Sequence, residues 1–145
     1  MIRCDAGPLA DALRQVMLPE GALVFVTKTN VTDDWEKVSG QLMEAFTLSQ
    51  EAARSGGPVV YVVDGDDLLG RGGRGDAMVA CGLLSAARTL ALETAKSGRA
   101  ANVIALGDRD SPDLVGLWVE ILCRPGGPSG ELIRLGGDHL GKALP

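Results

Sequence analysis

Short apolar runs alternate along the chain with longer stretches of helical periodicity. Ala22-Leu23-Val24-Phe25-Val26, Pro58 to Val63 and Ala101 to Leu106 are rich in aliphatic and β-branched residues. With glycine or proline nearby, they have the pattern of strands buried on both faces of a parallel sheet. Between the first two, Thr32 to Arg54 places Val38, Leu42 and Phe46 at helical spacing behind the capping residues Thr32, Asp33 and Asp34, and Gly56-Gly57 closes the helix. Between the second and third, Asp76 to Lys96 is apolar around nearly its whole circumference. Such a helix must be buried on more than one side. Ser111-Pro112-Asp113 opens a further helix with an N-cap and a proline at the first helical position, and it carries Leu114, Val115, Leu117, Trp118, Ile121 and Leu122. Glu131 to Leu135 gives one more short strand stopped by Gly136-Gly137, and Gly7 to Met17 one more helix.

Helix and strand thus alternate throughout, which predicts a doubly wound α/β layer structure. The expected architecture is a three-layer, truncated Rossmann-like fold with a small, mostly parallel sheet of about four strands flanked by helices. The chain has 145 residues and no repeat, linker or low-complexity tract, so residues 1–145 read as a single domain. A domain of this size buries roughly two-thirds of its surface and folds without staples.

Charge and composition narrow the function. A formal net charge of −5 supplies no global positive field for phosphate backbones or anionic lipid, so nucleic acid and membrane partners are not expected. Aromatic residues make up only 3%, too few for a base-stacking platform. The N-terminal residues lack the apolar stretch of a signal peptide, and no run of about 18 apolar residues suggests a membrane span. The expected location is the cytoplasm.

Several residues are candidates for chemistry. Gly70-Arg71-Gly72-Gly73-Arg74-Gly75 contains a formal G-x-G-x-x-G. In a working dinucleotide fingerprint the first glycine sits at the strand's end, and here Asp64 to Leu69 intervenes. A flexible surface loop is the expected outcome, and the alternative is a phosphate or NAD(P) site with Arg71 and Arg74 as counter-charges. Asp64, Asp66 and Asp67 lack the spacing and closing glutamate of a calcium loop and read as a solvated acidic turn. His139 has no nucleophile in an evident elbow. Cys4, Cys81 and Cys123 are too scattered for a disulfide framework or a zinc site, so no metal is expected. Cys81, mid-helix among apolar residues, reads as a core residue and Cys4 as the more exposed thiol.

The stretch Ser85-Ala86-Ala87-Arg88-Thr89-Leu90-Ala91-Leu92-Glu93, followed by Gly98 to Gly107, resembles the active-site helix and the following strand of the short-chain dehydrogenase/reductase family. Trp35-Glu36, Leu42, Phe46 and Gln50 are similar to the helix before it, and Gly130 to Gly137 to the final strand. The resemblance implies a chain matching only the C-terminal part of a family member, beginning too late to hold the glycine-rich turn after the first strand. It maps the family's catalytic tetrad onto Gln41, Val63 (or the adjacent Asp64), Asp76 and Ala80, and none of these is the family residue. It further implies that Phe25-Val26-Thr27-Lys28 replaces an Asn-Asn-Ala-Gly motif, and that the substrate lid has shrunk to Asp108-Arg109-Asp110.

On this resemblance the chain is expected to be a catalytically dead pseudoenzyme without a cofactor, serving as a structural or regulatory subunit. The family pairs its two long central helices across a subunit interface, and its C-terminal helix and strand make a second one. The implied interface residues are Phe46, Met78, Cys81 and Leu84, with Ser85, Arg88, Leu92 and Trp118. The implied partner is a second copy or a full-length dehydrogenase.

Overall fold

The computed structural model describes residues 1–28 and 34–136. Five strands form one parallel sheet, β1 (Ile2–Arg3), β2 (Leu23–Val26), β3 (Val59–Asp64), β4 (Ala101–Leu106) and β5 (Leu132–Arg134), and their order in space is their order in the chain. The expected four strands are all present. The fifth, β1, pairs Ile2 with Val24 and Arg3 with Phe25. Helices α1 (Pro8–Arg14), α2 (Trp35–Ser55), α3 (Gly65–Leu68), α4 (Arg74–Thr94) and α5 (Pro112–Leu122) fill the connections.

Local chemistry accounts for the helix boundaries. The Asp34 carboxylate accepts the backbone N–H groups of Glu36 and Lys37 at 3.1 and 3.3 Å and starts α2. At the other end Gly56 takes the left-handed conformation (φ 81°) that stops the helix. Thr32 and Asp33, also expected to cap this helix, lie outside the described residues. Ser111 caps α5 through the N–H of Leu114 at 3.2 Å. The expected acidic turn after β3 is the single-turn helix α3, because Asp64 accepts the N–H of Asp66 at 2.7 Å and turns the chain at once.

The period of two in the strands sorts the core into two layers. Leu23, Phe25, Val59, Tyr61, Val63 and Val103 point to one face, where Val38 and Ala45 of α2 and Val79, Leu83 and Ala87 of α4 cover them. Val24, Val60, Val62 and Ile104 point to the other, under Leu13 of α1 and Val115, Val119 and Leu122 of α5. The segment Arg74–Ser97 is long and apolar enough, by length and composition, to cross a membrane, contrary to expectation. Its inner sector is nonetheless buried against the sheet and α2, which accounts for the apolarity.

Every connection steps the same way across the sheet, yet α1 and α5 lie on the face opposite α2 and α4. Equal steps with helices on opposite faces have opposite hands, so two of the four crossovers depart from the usual right-handed rule. In a doubly wound sheet of order 3-2-1-4-5-6 the first and fourth strands are neighbours, and right-handed crossovers put their helices on opposite faces. The units β1–α1 and β2–α2 stand in that relation. The unit β1–α1 precedes β2 in the chain and is joined to it by residues 15–22.

Candidate functional site

In open α/β sheets ligands bind outside the carboxyl ends of the strands, where the winding switches. Here that end is formed by Cys4 to Gly7 after β1, Thr27 and Lys28 after β2, Asp64 and α3 after β3, and Gly107 to Asp110 after β4. The turn after β1, Cys4-Asp5-Ala6-Gly7, holds one glycine rather than a glycine-rich run. Gln41, 5% exposed on α2, pins the next segment: its amide oxygen accepts the N–H of Lys28 and its nitrogen donates to the Lys28 carbonyl at 3.5 Å. The hydroxyl of Thr27 donates to the carbonyl of Val62 at 3.4 Å, tying β2 to β3.

The four positions mapped from the tetrad lie on β3 and on α2 and α4, the two helices that cover one face of the sheet. Val63 and Ala80 are packed in the same apolar cluster, and Gln41 and Asp76 are buried polar residues. Asp76 sits in the first turn of α4, where a carboxylate is favoured by the helix dipole.

Next to it stands a group of carboxylates. Asp67, on α3, faces Asp64, Asp66 and Asp76. Burial first, and then these three charges, push its pKa up to about 6. The acidic turn is thus partly desolvated rather than fully solvated. One Asp67 oxygen lies against Gly72, where a Cβ would come within 2.0 Å of it, so a side chain at that position must displace the carboxylate. Arg71, on the same link, is held by Asp66 at 3.3 Å. Arg74 opens α4. The Gly70–Gly75 segment therefore follows a helix and not a strand, with Gly72 beside the Asp67 carboxylate.

The space between the ends of β3, β4 and β5 is small, about 20 Å³, and is lined by Asp64, Asp66, Arg71, Asp108 and Arg134 among others. That is room for about one water molecule. The expected lid remnant folds onto the strand end, since the Asp110 carboxylate accepts the N–H of Gly107 at 2.6 Å. Among the described residues, no three His, Cys, Asp or Glu side chains converge as metal ligands.

The thiols fall differently from expectation. Cys81 is exposed and Cys4 is half-buried, its pKa raised by burial and then by Asp5. Cys123 is buried and its pKa is pushed up to about 11. A helix apolar all round gives no sign of which sector faces outward, and Cys81 lies in the outer one. His139 lies outside the described residues.

The outer surface of α2 and α4 has the opposite character. Trp35, Met43 and Phe46 on α2 and Met78 and Leu92 on α4 are exposed, Leu92 by 81%. Between the helices runs a groove of about 480 Å³ bordered by Leu42, Phe46, Ser85, Ala86 and Thr89, with Tyr61 at its floor. The Tyr61 hydroxyl lies 2.7 Å from the hydroxyl of Ser49, which itself donates to the carbonyl of Ala45 at 2.6 Å. Of the residues expected at the interfaces, Leu84 does not belong to this surface and Trp118 stands on the C-terminal helix expected to form the second one. Leu84, 4% exposed, is part of the chain's own core, and Trp118 on α5 packs on the opposite face of the sheet.

The fold and the strand-end crevice define an α/β protein of the doubly wound class. The solved structures it resembles make that narrower: the chain has the fold of the short-chain dehydrogenases/reductases. A short-chain dehydrogenase/reductase from Serratia marcescens matches with a TM-score of 0.66 and 18% identity, over 79% of this chain and 63% of that one. Acetoin dehydrogenase from Enterobacter cloacae gives 0.66 and 16%, over 79% and 61%. An oxidoreductase of the same family from Burkholderia thailandensis gives 0.65 and 20%, over 87% and 66%. The chain thus spans less than two-thirds of the length of these structures. No protein-family model and no curated protein sequence matches it.

These neighbours correct one expectation. All three are dehydrogenases or oxidoreductases by name, so the scaffold is that of an enzyme, and nothing in the site shows the chain to be catalytically dead.

Proposed function

We propose that the chain is a subunit of a cytoplasmic oxidoreductase assembly, built on the short-chain dehydrogenase/reductase fold and joined to its partner through α2 and α4. Its role in that assembly is structural or regulatory, and the partner is a second copy or a full-length dehydrogenase. The observation that carries this reading is the exposed apolar surface formed by Trp35, Met43, Phe46, Met78 and Leu92 on two adjacent helices. Contiguous apolar patches of this kind mark interaction surfaces. An interface of standard size, about 1,600 Å² in total, is within reach of two helices of 21 residues each. The cytoplasmic placement draws on α4, whose apolar inner sector is used by the sheet.

Purification of the tagged chain from its native host, followed by sedimentation, tests the proposal. A stable oligomer, or a complex with a dehydrogenase, is the expected result. A monomer that brings down nothing would sink it.

A further inference from the structure

We infer that the groove between α2 and α4 is a small-molecule site whose ligand is an amine with an apolar body, the body lying between the helices and the ammonium group toward Glu93. Small facing residues make the groove. At its N-terminal end the helices are close, since a Cβ on Gly82 would come within 3.0 Å of the Leu42 side chain. Beyond that crossing the gap is lined by Ser85, Ala86 and Thr89 of α4 and by Ser49 and Ala53 of α2, which are too short to close it. About 480 Å³ stays open down to Tyr61 on the sheet, a volume usual for ligand pockets.

Two polar groups decide the ligand, and both accept hydrogen bonds. The Ser49 hydroxyl gives its single proton to the carbonyl of Ala45 at 2.6 Å, so the Tyr61 hydroxyl, 2.7 Å away, donates to Ser49. The Tyr61 oxygen keeps lone pairs for a donor. Tyr61 is only 2% exposed and lines the groove, so that donor arrives through it. The second group is Glu93, the one charged residue on the lining, a turn of α4 beyond Thr89. Among the described residues it forms no ion pair. A carboxylate without a counter-charge beside apolar walls favours a cation and repels an anion. Gln50, Ser85 and Thr89 also line the groove, and because they donate or accept they do not discriminate. An apolar ammonium compound therefore matches both acceptors, and an apolar carboxylate matches neither. Of the five exposed residues that carry the proposed assembly, Phe46 alone borders the groove, so the site does not rest on that reading.

Calorimetric titration of the full chain with three compounds that share one body tests the inference: tryptamine, the alcohol tryptophol, and indole-3-propionate. Tryptamine is expected to bind saturably and at least about 10-fold more tightly than indole-3-propionate, with tryptophol between them. Glu93→Gln, at an exposed position, should weaken tryptamine about 3-fold to 5-fold and leave tryptophol unchanged. Ala86→Phe fills the groove and should abolish binding of both, with circular dichroism to verify the fold. Absence of saturable binding by all three compounds, or equal affinity for amine and acid, overturns the inference. Tryptamine binding that is untouched by Glu93→Gln and by a folded Ala86→Phe lies elsewhere and overturns it as well. Sedimentation of the same samples separates the site from the assembly. An oligomer that binds none of the compounds overturns the site and leaves the assembly standing, whereas a monomer that binds tryptamine supports the site and overturns the assembly.

Discussion

The strand ends and the outer surface of α2 and α4 are built from contrasting materials. At the strand ends Asp64, Asp66, Asp67 and Asp76 crowd the start of α4, Arg71 is tied to Asp66, and about 20 Å³ remains between β3 and β5. On α2 and α4 the large apolar side chains Trp35, Met43, Phe46, Met78 and Leu92 are exposed, beside an open groove of about 480 Å³. The difference teaches where this chain places its charge: carboxylates crowd the strand ends, whereas large apolar side chains stand exposed on the two long helices.

A charge in the open surface is the strongest way to break this contrast. Leu92→Asp puts a carboxylate on the proposed assembly surface and should weaken association there by about 3 kcal/mol, more than 100-fold in the dissociation constant. Thermal unfolding of the monomer should hardly move, because Leu92 is 81% exposed within its own chain. Loss of the fold instead would show that the residue belongs to the core.

At the strand ends the next largest effect is expected from Gly72→Ala. The new methyl must displace the Asp67 carboxylate, at a cost of about 1–2 kcal/mol by denaturant unfolding. Asp67→Ala in the same chain should recover most of it, since the two sites share one contact. Additive losses would contradict the wedge.

The raised pKa of Asp67 has a defined sign. A folded-state value of about 6 against an ordinary 3.8 means that the folded chain binds more protons between these limits. Its contribution therefore favours folding below about pH 4 and is lost as pH rises through 6. Between pH 7 and pH 5 the native chain should gain about 2 °C in Tm over Asp67→Asn, a modest effect because the group is partly solvated. Parallel pH profiles would refute the crowding.

The smallest effect concerns the anchoring of β1. Arg3 reaches both oxygens of Glu44 on α2 at 2.8 and 2.9 Å, donates to the carbonyl of Val26 and lies 4.8 Å from the centre of the Phe25 ring. The bond to Arg3 holds the Glu44 carboxyl below its usual pKa. The bridge contributes at neutral pH and is lost as the carboxylate protonates on acidification. Glu44→Gln should cost about 0.5 kcal/mol, measured by denaturant unfolding at pH 7, and progressively less as the pH falls below the usual carboxylate range.

Most of the layer structure is legible along the chain. The runs at β2, β3 and β4 are too apolar for anything but a sheet covered on both sides, and Asp34, Gly56 and Ser111 mark helix ends through backbone geometry that needs no distant partner. β1 is not legible, because two residues carry no period and become a strand only by pairing with Val24 and Phe25. Nor is α3, a single turn whose formation depends on the Asp64 cap.

Pattern and caps are local, so the sequence alone determined the alternation of strand and helix, the parallel sheet and the two apolar layers. Which side of α4 meets water, that Cys81 lies outside and Leu84 inside, and that Asp67 is pressed by three other carboxylates were decided by the tertiary structure. Each depends on what lies across a packing interface, and an all-round apolar helix or a run of aspartates carries no sign of its neighbours until the chain has closed around it.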